Sequence, residues 1–252
     1  MNKVARLAAN GWIFPHWPAP VSTAVSTRNI DGASMPPFDN FNIGSRCGDD
    51  ARHVAANRVA LVGELDLRQP PRWLHQVHGR DVVRLSSRSP HFDHLADAAV
   101  SSDVGVVLAI LTADCLPVLF ASRDGCHIGA AHAGWRGLAA GVLEATVDAM
   151  HIPAAEITAW LGPAIAADSY EVGEEVRAAF VGHDSAAATG FSQSRPGHWL
   201  CDLTALAIQR LRACGVEHIH GGGFDTFNDA RFYSFRRASP TGRFASLIWR
   251  HS

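Results

Sequence analysis

Three short segments of the sequence each carry a residue that can bind a soft or borderline metal ion. They are WLHQVHGRD with His75 and His78, TADCLPV with Cys115, and AAHAGWRG with His132. A catalytic zinc takes three protein ligands from His, Cys, Asp or Glu and keeps a fourth position open for water. His78, Cys115 and His132 would supply such a set. They are far apart in the sequence, so the fold must assemble the site, and spacing alone is weak evidence for it.

The same residue types also fit a cysteine hydrolase. Cys115 would be the nucleophile, His132 or His78 its base, and Asp114 could orient that base. A plainer interpretation is also open, because a cysteine between two apolar runs often packs as a small buried hydrophobe. The residue types alone do not separate these interpretations.

Two other histidine pairs are weaker candidates for a metal site. His91 and His94 are three residues apart, but their setting, SSRSPHFDHLADA, is polar and predicts a solvated surface. His218 and His220 would point to the same face of a strand, which is a real metal-ligand geometry. We keep only the second pair as a minor alternative.

The composition is that of an ordinary globular protein, long enough to bury a sizeable core. With 47% hydrophobic residues, 18% charged residues and a net charge of −2, nothing points to a nucleic-acid or membrane-surface partner. One or two local arginines could still bind a small anion.

No stretch approaches the roughly 20 apolar residues of a membrane span, and the five cysteines form no CxxC pair. We expect a cytoplasmic protein with free thiols, either a monomer or a small homo-oligomer.

Strands and helices are predicted in an order that does not alternate regularly. Strand-like runs cover 21–29, 81–85, 105–111, 116–121, 126–133, 157–162, 218–223 and 244–250. Helical spacing covers 49–65, 137–151, 173–181 and 202–215, with Asp49 or Asp50 as the first N-cap and Gly215 closing the last helix. Without repeats or linkers, we expect one domain over 1–252, of the α+β (mixed α/β) class with a layered architecture.

A longer series of motifs resembles one known family. In chain order they are FNIGSRCGDD, WLHQVHG, TADCLPVLF, AAHAGWRGLAAGV, LGPAI, YEVGEEV, YSFRR and TGR, and they extend from about Thr27 to Arg243. Together they resemble the bacterial YfiH family, also called the laccase-domain or polyphenol-oxidase-like family. The resemblance implies an α/β/β/α-like fold, distantly similar to Cys–His deamidating toxins. It also implies the metal ligands His78, Cys115 and His132, with His75 as a neighbour.

The resemblance further implies a purine-nucleoside enzyme. Members are associated with phosphorolysis of adenosine, inosine and guanosine, with cleavage of methylthioadenosine and with adenosine deamination. Older naming implies copper-dependent oxidation of polyphenols, and some members are implicated in removing misincorporated residues from peptidoglycan precursors.

Zn²⁺ is the expected cofactor, and Cu²⁺ is an alternative because a His₂Cys site binds it tightly. A multicopper oxidase is disfavoured, since the chain has a single HxH arrangement. The expected partners are a purine nucleoside and phosphate.

Phosphorolysis requires an anion site, and two arginines are candidates for it. Arg136 lies near a predicted helix N-terminus between Gly134 and Gly137, and glycine permits a close backbone approach. Arg237 belongs to a second basic group with Arg236 and Arg243. A structural ion pair would explain Arg237 equally well.

Three polar residues complete the predicted site. Asn42 and Gln76 could bind a base or ribose edge, although Asn42 suits a turn equally well. Asp114 could act with Cys115 and His132 as a catalytic acid or base. In an extended chain its side chain would point away from that of Cys115, so this role requires a loop conformation.

The chain departs from the family pattern at two places. Asp225 and Thr226 stand where the family usually has a Cys-Thr pair, and YSFRR exchanges the aromatic residues of FSYRR. We therefore assign no catalytic role to position 225. A structural zinc with four protein ligands is the non-enzymatic alternative, and a fourth ligand such as His75 would favour it.

Overall fold

The computed structural model describes residues 2–251. Its helices are α1 (Lys3–Ala9), α2 (Ala51–Glu64), α3 (Trp135–Ala140), α4 (Val142–Met150), α5 (Glu174–Val181) and α6 (Leu203–Ala213). The first seven strands are β1 (Ser22–Val25), β2 (Leu74–His75), β3 (Val82–Arg84), β4 (His94–Leu95), β5 (Ala98–Ser101), β6 (Val107–Thr112) and β7 (Leu116–Ser122). The other seven are β8 (Ile128–Ala133), β9 (Ile157–Leu161), β10 (Glu171–Gly173), β11 (Phe191–Arg195), β12 (His198–Cys201), β13 (His218–Gly221) and β14 (Phe244–Trp249).

The helices and sheets stack in four layers. A six-stranded sheet of order β13-β9-β7-β8-β5-β3 has α4 and α6 on one face. A three-stranded sheet of order β1-β14-β6 packs on its other face. The outer face of this smaller sheet is covered by α1 and α2. This arrangement confirms the α+β class and the α/β/β/α layering.

Alternating side chains on β7 show why the larger sheet is buried on both faces. Val118 and Phe120 pack in the core cluster under the helices, whereas Leu119 and Ala121 pack against the smaller sheet. Successive strand residues point to opposite faces, so a continuous apolar run supplies both clusters.

The predicted capping residues at two helix ends are confirmed. Of the two aspartates proposed as caps, Asp50 accepts a hydrogen bond from the backbone N–H of Arg52 at 2.8 Å and begins α2. Gly215 follows α6 with φ +88°, in the left-handed region that favours glycine. The prediction of one helix over 137–151 is wrong. Gly141, at φ +95°, separates α3 from α4.

Other elements were missed or are shorter than predicted. Strand β1 ends at Val25 rather than continuing to residue 29. The short strand β5 and the small sheet β10-β12-β11 were not predicted at all. Within residues 2–251, no helix has both the length and the apolar character needed to cross a membrane.

Candidate metal centre and its pocket

A β-hairpin brings Cys115 and His132 together. Strands β7 and β8 run antiparallel, with Leu116 opposite Ala133 and Pro117 opposite His132. Cys115 immediately precedes β7 and His132 is the penultimate residue of β8. The two side chains therefore share one end of the sheet although 17 positions separate them in the sequence.

His78 joins them from the loop between β2 and β3, and Asp97 holds this loop in place. Oδ1 of Asp97 accepts hydrogen bonds from the His78 N–H at 2.9 Å and from His132 Nδ1 at 2.8 Å. Oδ2 accepts from the N–H groups of Val77 at 3.1 Å and Gly79 at 2.7 Å. The loop passes through the left-handed region at His78, with φ +62°. A single carboxylate thus fixes an unusual backbone conformation and one ring orientation.

The contact with Asp97 also selects the tautomer of His132. Because a carboxylate only accepts hydrogen bonds, Nδ1 of His132 carries the proton and Nε2 is left for a metal. Burial would raise the pKa of Asp97, but the hydrogen bonds from His132 and the Gly79 N–H outweigh it and lower that pKa. Sequence reasoning missed Asp97, whose setting, HLADAAV, resembles any strand or turn boundary.

The three predicted ligands converge. Their ligand atoms all lie within 4.8 Å of one another, and Cys115 Sγ lies 3.9 Å from His78 Nε2. Two imidazoles and one thiol are the nitrogen and sulfur donors that zinc takes in proteins, so the donor set fits zinc. It is the one group of three or more such residues found within residues 2–251.

No fourth protein ligand completes this group among the described residues. His75 lies on β2 outside it, and Asp97 instead accepts the hydrogen bonds from the His132 ring and the His78 backbone N–H. His91 is exposed, as expected, but His94 is half-buried on strand β4, where its ring packs against that of Phe92. His218 and His220 lie on the edge strand β13, and no third ligand near them is found within residues 2–251. An open fourth position is typical of a catalytic rather than a structural site.

Cys115 and His132 change each other's acidity. Burial would raise the pKa of the Cys115 thiol, but charge and hydrogen bonding from His132 and His78 lower it to about 6. Burial would lower the pKa of His132, but the Cys115 charge and the Asp97 hydrogen bond raise it to about 9. The thiolate is the form of cysteine that binds metals and attacks electrophiles, so the site favours the reactive form.

Two glycines in HAGWRG permit close contacts around the ligands. A Cβ at Gly134 would lie 3.0 Å from both Cys115 Sγ and His78 Cδ2. A Cβ at Gly137 would lie 2.7 Å from the carbonyl oxygen of Gly79. These glycines are needed because a side chain would push against the ligand loop.

The ligands face a cavity of about 520 Å³, within the size range of small-molecule sites. One carboxylate, that of Asp114, and five arginines line it: Arg46, Arg58, Arg136, Arg236 and Arg243. Four of these arginines have partners in the protein. Arg46 forms an ion pair with Asp93, and Arg58 donates to the carbonyl of Ile43. Arg236 donates to the carbonyl of Glu171, and Arg243 to those of Thr241 and Gly242. Arg136 stacks on Trp135 at 4.3 Å and has no hydrogen bond or ion pair with the described residues. Its guanidinium is free to bind an anion.

The structure does not bring Asn42 or Arg237 to the cavity. The buried Asn42 side chain accepts from the N–H groups of Gly44 and Arg243, at 2.9 and 2.8 Å. Arg237 donates to the carbonyls of Thr226 and Phe227, at 2.7 and 2.8 Å. The Asn42 amide nitrogen also donates to Asp49 Oδ2 at 2.9 Å, so the polar atoms of both side chains already have partners within the protein.

Gln76 and Asp114 do line the cavity, but their polar atoms are bonded to the protein. The amide of Gln76 pairs with both backbone groups of Leu111, at 2.8 and 2.9 Å. Asp114 adopts the loop conformation that its predicted role required, with φ +92°. Its two oxygens accept from Thr226 Oγ1 and from the Arg236 N–H, each at 2.7 Å. Asp114 thereby anchors the YSFRR segment, and Asp97 rather than Asp114 orients the histidine.

The match with known proteins covers almost the whole chain. Residues 22–251 match a family model described as multi-copper polyphenol oxidoreductase laccase. The chain belongs to this family. It is the YfiH, or laccase-domain, family that the sequence motifs indicated, and its relatives include proteins named for it.

Two relatives of this YfiH-family chain have names that specify a reaction. A purine nucleoside phosphorylase from Pseudomonas aeruginosa is 52% identical over 244 residues, covering 95% of this chain and 98% of the relative. The purine nucleoside phosphorylase YfiH of Escherichia coli is 48% identical over 239 residues, covering 94% and 98%. The crystal structure of NMB0706 from Neisseria meningitidis superposes with a TM-score of 0.92 at 42% identity, covering 96% of this chain and 100% of that one.

The multi-copper description and the site differ in the number of ligands. Several copper ions would require several groups of ligands. Residues 2–251 contain one group, formed by two histidines and one cysteine. The geometry therefore fits one metal ion in this YfiH-family chain.

Proposed function

We propose that this protein is a zinc-dependent purine nucleoside phosphorylase. The observation that carries the proposal is the opening of a three-ligand His₂Cys group into a cavity where arginines outnumber carboxylates five to one. The names of the relatives indicate the nucleoside, and the arginines supply the chemistry that a second, anionic substrate requires.

Arg136 is the proposed phosphate ligand. A guanidinium offers planar, paired donors that match a phosphate, and a desolvated charged hydrogen bond is stronger than a neutral one. The other four arginines of the cavity raise the local positive potential while they remain bonded to the protein. Among the five arginines, Arg136 alone needs to lose neither a hydrogen bond nor an ion pair when phosphate arrives.

In the proposed reaction, a phosphate oxygen forms a bond to C1′ of the nucleoside. The C1′–N9 bond breaks, its electron pair leaves with the base, and the base takes up a proton. The protein contributes by binding the nucleoside and phosphate in line, so that the two substrates are already oriented for reaction. Asp114 contributes indirectly, since it fixes the segment that carries Arg236.

His78, Cys115 and His132 would hold the metal, with Asp97 fixing the ring of His132 and the backbone of the His78 loop. When bound, zinc would supply a Lewis acid that polarises an oxygen ligand or lowers the pKa of a water to about 7. The same open position would suit adenosine deamination, which requires an activated water. Methylthioadenosine is a further substrate of the proposed class, and Cu²⁺ is the alternative metal.

A Cys–His hydrolase is the second candidate, and one observation favours it. In this candidate Cys115 is the nucleophile, His132 is its base, and Asp97 is the carboxylate that orients the base. The pKa of the Cys115 thiol is lowered to about 6. In this case activity would survive removal of the metal. A peptidoglycan precursor would then be among the substrates to examine.

We infer a cytoplasmic location from the five cysteines, all of which are free thiols in the structure. The proposed substrates are small molecules of that compartment.

The test follows inosine with and without phosphate. We expect hypoxanthine and ribose 1-phosphate to appear in equal amounts and only when phosphate is present. Free ribose formed without phosphate would indicate a hydrolase, and inosine formed from adenosine would indicate deamination. Phosphate-independent release of the base would overturn the proposal.

A further inference from the structure

Two aromatic residues in YSFRR face opposite directions. Tyr233 is fully buried, and its hydroxyl donates a hydrogen bond to the carbonyl of Phe38 at 2.8 Å. Phe235, two residues later, is 53% exposed and lines the cavity next to the candidate metal centre. The exchange of Tyr and Phe relative to FSYRR therefore changes which ring faces the cavity. The hydroxyl of this segment lies in the core, and a ring without a polar tip faces the cavity.

The backbone around Phe235 is held on both sides. Before it, Ser234 Oγ accepts from the Arg237 N–H and the Ser234 carbonyl accepts from the Ala238 N–H, each at 3.1 Å. After it, the Arg236 N–H donates to Asp114 Oδ2 at 2.7 Å. The exposed ring is thus presented from a fixed backbone, although an apolar ring gains nothing from facing water.

Phe235 also has the most available face among the aromatic residues of the cavity. Trp135 is covered by the Arg136 guanidinium at 4.3 Å, and Tyr170 by that of Arg236 at 4.7 Å. The nearest such cation to Phe235, that of Arg243, is 6.0 Å from the ring centroid, at the limit of such contacts. Tyr170 is only 8% exposed, so it offers little surface to a ligand.

We propose that Phe235 is the platform on which the purine base stacks. This inference rests on the proposed nucleoside substrate and specifies how the cavity recognises it. A flat, apolar ring contacts the face of a base and not its hydrogen-bonding edge, and every base has such a face. The contribution of Phe235 is therefore common to adenine, hypoxanthine and guanine, and discrimination among them must come from other groups.

The test measures binding of hypoxanthine and adenosine by equilibrium dialysis, together with the KM values for inosine and phosphate. Phe235→Ala should weaken purine binding and raise the inosine KM by about 5- to 150-fold, the effect of losing one base–aromatic stack. Phe235→Tyr should retain wild-type binding, while Phe235→Leu should fall between the two. The phosphate KM and the zinc content should not change.

Phe92→Ala is the matched control, because Phe92 is similarly exposed at 60% but lies outside this cavity. It should alter neither purine binding nor KM. Tyr233→Phe, which removes the buried hydroxyl, should reduce stability without changing purine affinity.

The outcomes separate this inference from the proposed reaction. If wild type consumes inosine and Phe235→Ala leaves the inosine KM and purine binding unchanged, stacking is overturned and phosphorolysis stands. If wild type binds purines through Phe235 but does not consume inosine, the reaction is wrong and stacking stands. Absence of purine binding in wild type, or equal losses of purine, phosphate and zinc binding in Phe235→Ala, would overturn the stacking role.

Discussion

Asp97 and His132 form a buried hydrogen bond of 2.8 Å, and the same Asp97 oxygen accepts the backbone N–H of His78 at 2.9 Å. One atom thus ties the ring of His132 to the backbone of His78 in a distant segment. This relationship explains how a site with long sequence separations can be rigid. The hairpin sets the positions of Cys115 and His132, whereas Asp97 holds the His132 ring and the backbone of the His78 loop.

Replacement of Asp97 by Asn should weaken zinc binding by about 10- to 100-fold, the usual effect of removing a partner behind a ligand. The amide would keep one acceptor, but its NH₂ group would face N–H donors of the His78 loop. The affinity can be measured by competition with a chromogenic chelator.

Asp103→Asn is the control for this variant. Asp103 lies beyond the other end of β5 and bonds to Ser87 instead of a ligand. Equal zinc affinities for wild type, Asp97→Asn and Asp103→Asn would contradict the role assigned to Asp97.

Gly134→Ala should lower the zinc affinity while the fold is retained. Its Cβ would meet Cys115 Sγ and His78 Cδ2 at 3.0 Å, and the atoms that must move are those of the ligands. Gly63→Ala on α2 is the comparison, because its Cβ meets nothing within 4 Å. That variant should raise the free energy of unfolding by about 0.5–1 kcal/mol and leave zinc binding unchanged. Wild-type zinc affinity in Gly134→Ala would refute the crowding argument.

Arg136→Ala should raise the phosphate KM by about 10- to 150-fold, the effect of losing a hydrogen bond to a charged group. The zinc content should remain at the wild-type value. Arg177→Ala is a matched control, since Arg177 also stacks on a tryptophan, Trp199, at 4.3 Å but lies outside the cavity. If both variants raise the phosphate KM equally, the effect is structural and Arg136 is not the phosphate ligand.

Asp225→Asn should destabilise the protein without a direct effect on turnover. Asp225 accepts four hydrogen bonds, from the N–H groups of Ala166 and Phe227 and from the side chains of Ser169 and Asn228. An asparagine cannot accept all four, so the free energy of unfolding should fall by about 1–3 kcal/mol at pH 7.

The pH dependence of this difference has a definite sign. Burial would raise the pKa of Asp225, but its hydrogen bonds from Ser169 and Ala166 outweigh that and lower it below the ordinary 3.8. The stabilisation is therefore complete above the unfolded pKa and is lost as the pH falls through the folded pKa. Urea unfolding should show a constant difference between pH 5 and 8. A difference that shrinks within that range would contradict the assignment.

The sequence predicted the layers and the ligands of the site better than it predicted the wall of the cavity. Apolar runs of strand length predicted five strands of the six-stranded sheet, all but β5, whereas the ligand set of His78, Cys115 and His132 was implied by the family resemblance of the motifs. Such signals are local, because each depends on a short pattern. The break at Gly141 was missed, since the flanking apolar positions continue a helical spacing across it.

The roles of the polar residues could not be predicted in the same way. Asn42 and Arg237 have the chemistry of substrate ligands, yet their partners are protein groups brought close by folding. Asp97 and Asp114 are both aspartates beside apolar strands, and only tertiary contacts show that Asp97 orients the His132 ring and holds the His78 loop. Hydrogen bonds between distant segments leave no pattern in a single sequence.

The most direct test is the metal content and phosphorolysis of wild type and Cys115→Ala, purified together without added metal. We predict nearly one zinc per wild-type chain and phosphate-dependent formation of hypoxanthine from inosine, with both lost in the variant. Zinc returned to chelator-treated wild type should restore the reaction. Full turnover by metal-free wild type, or a variant that keeps its zinc, would contradict a His78, Cys115 and His132 zinc centre.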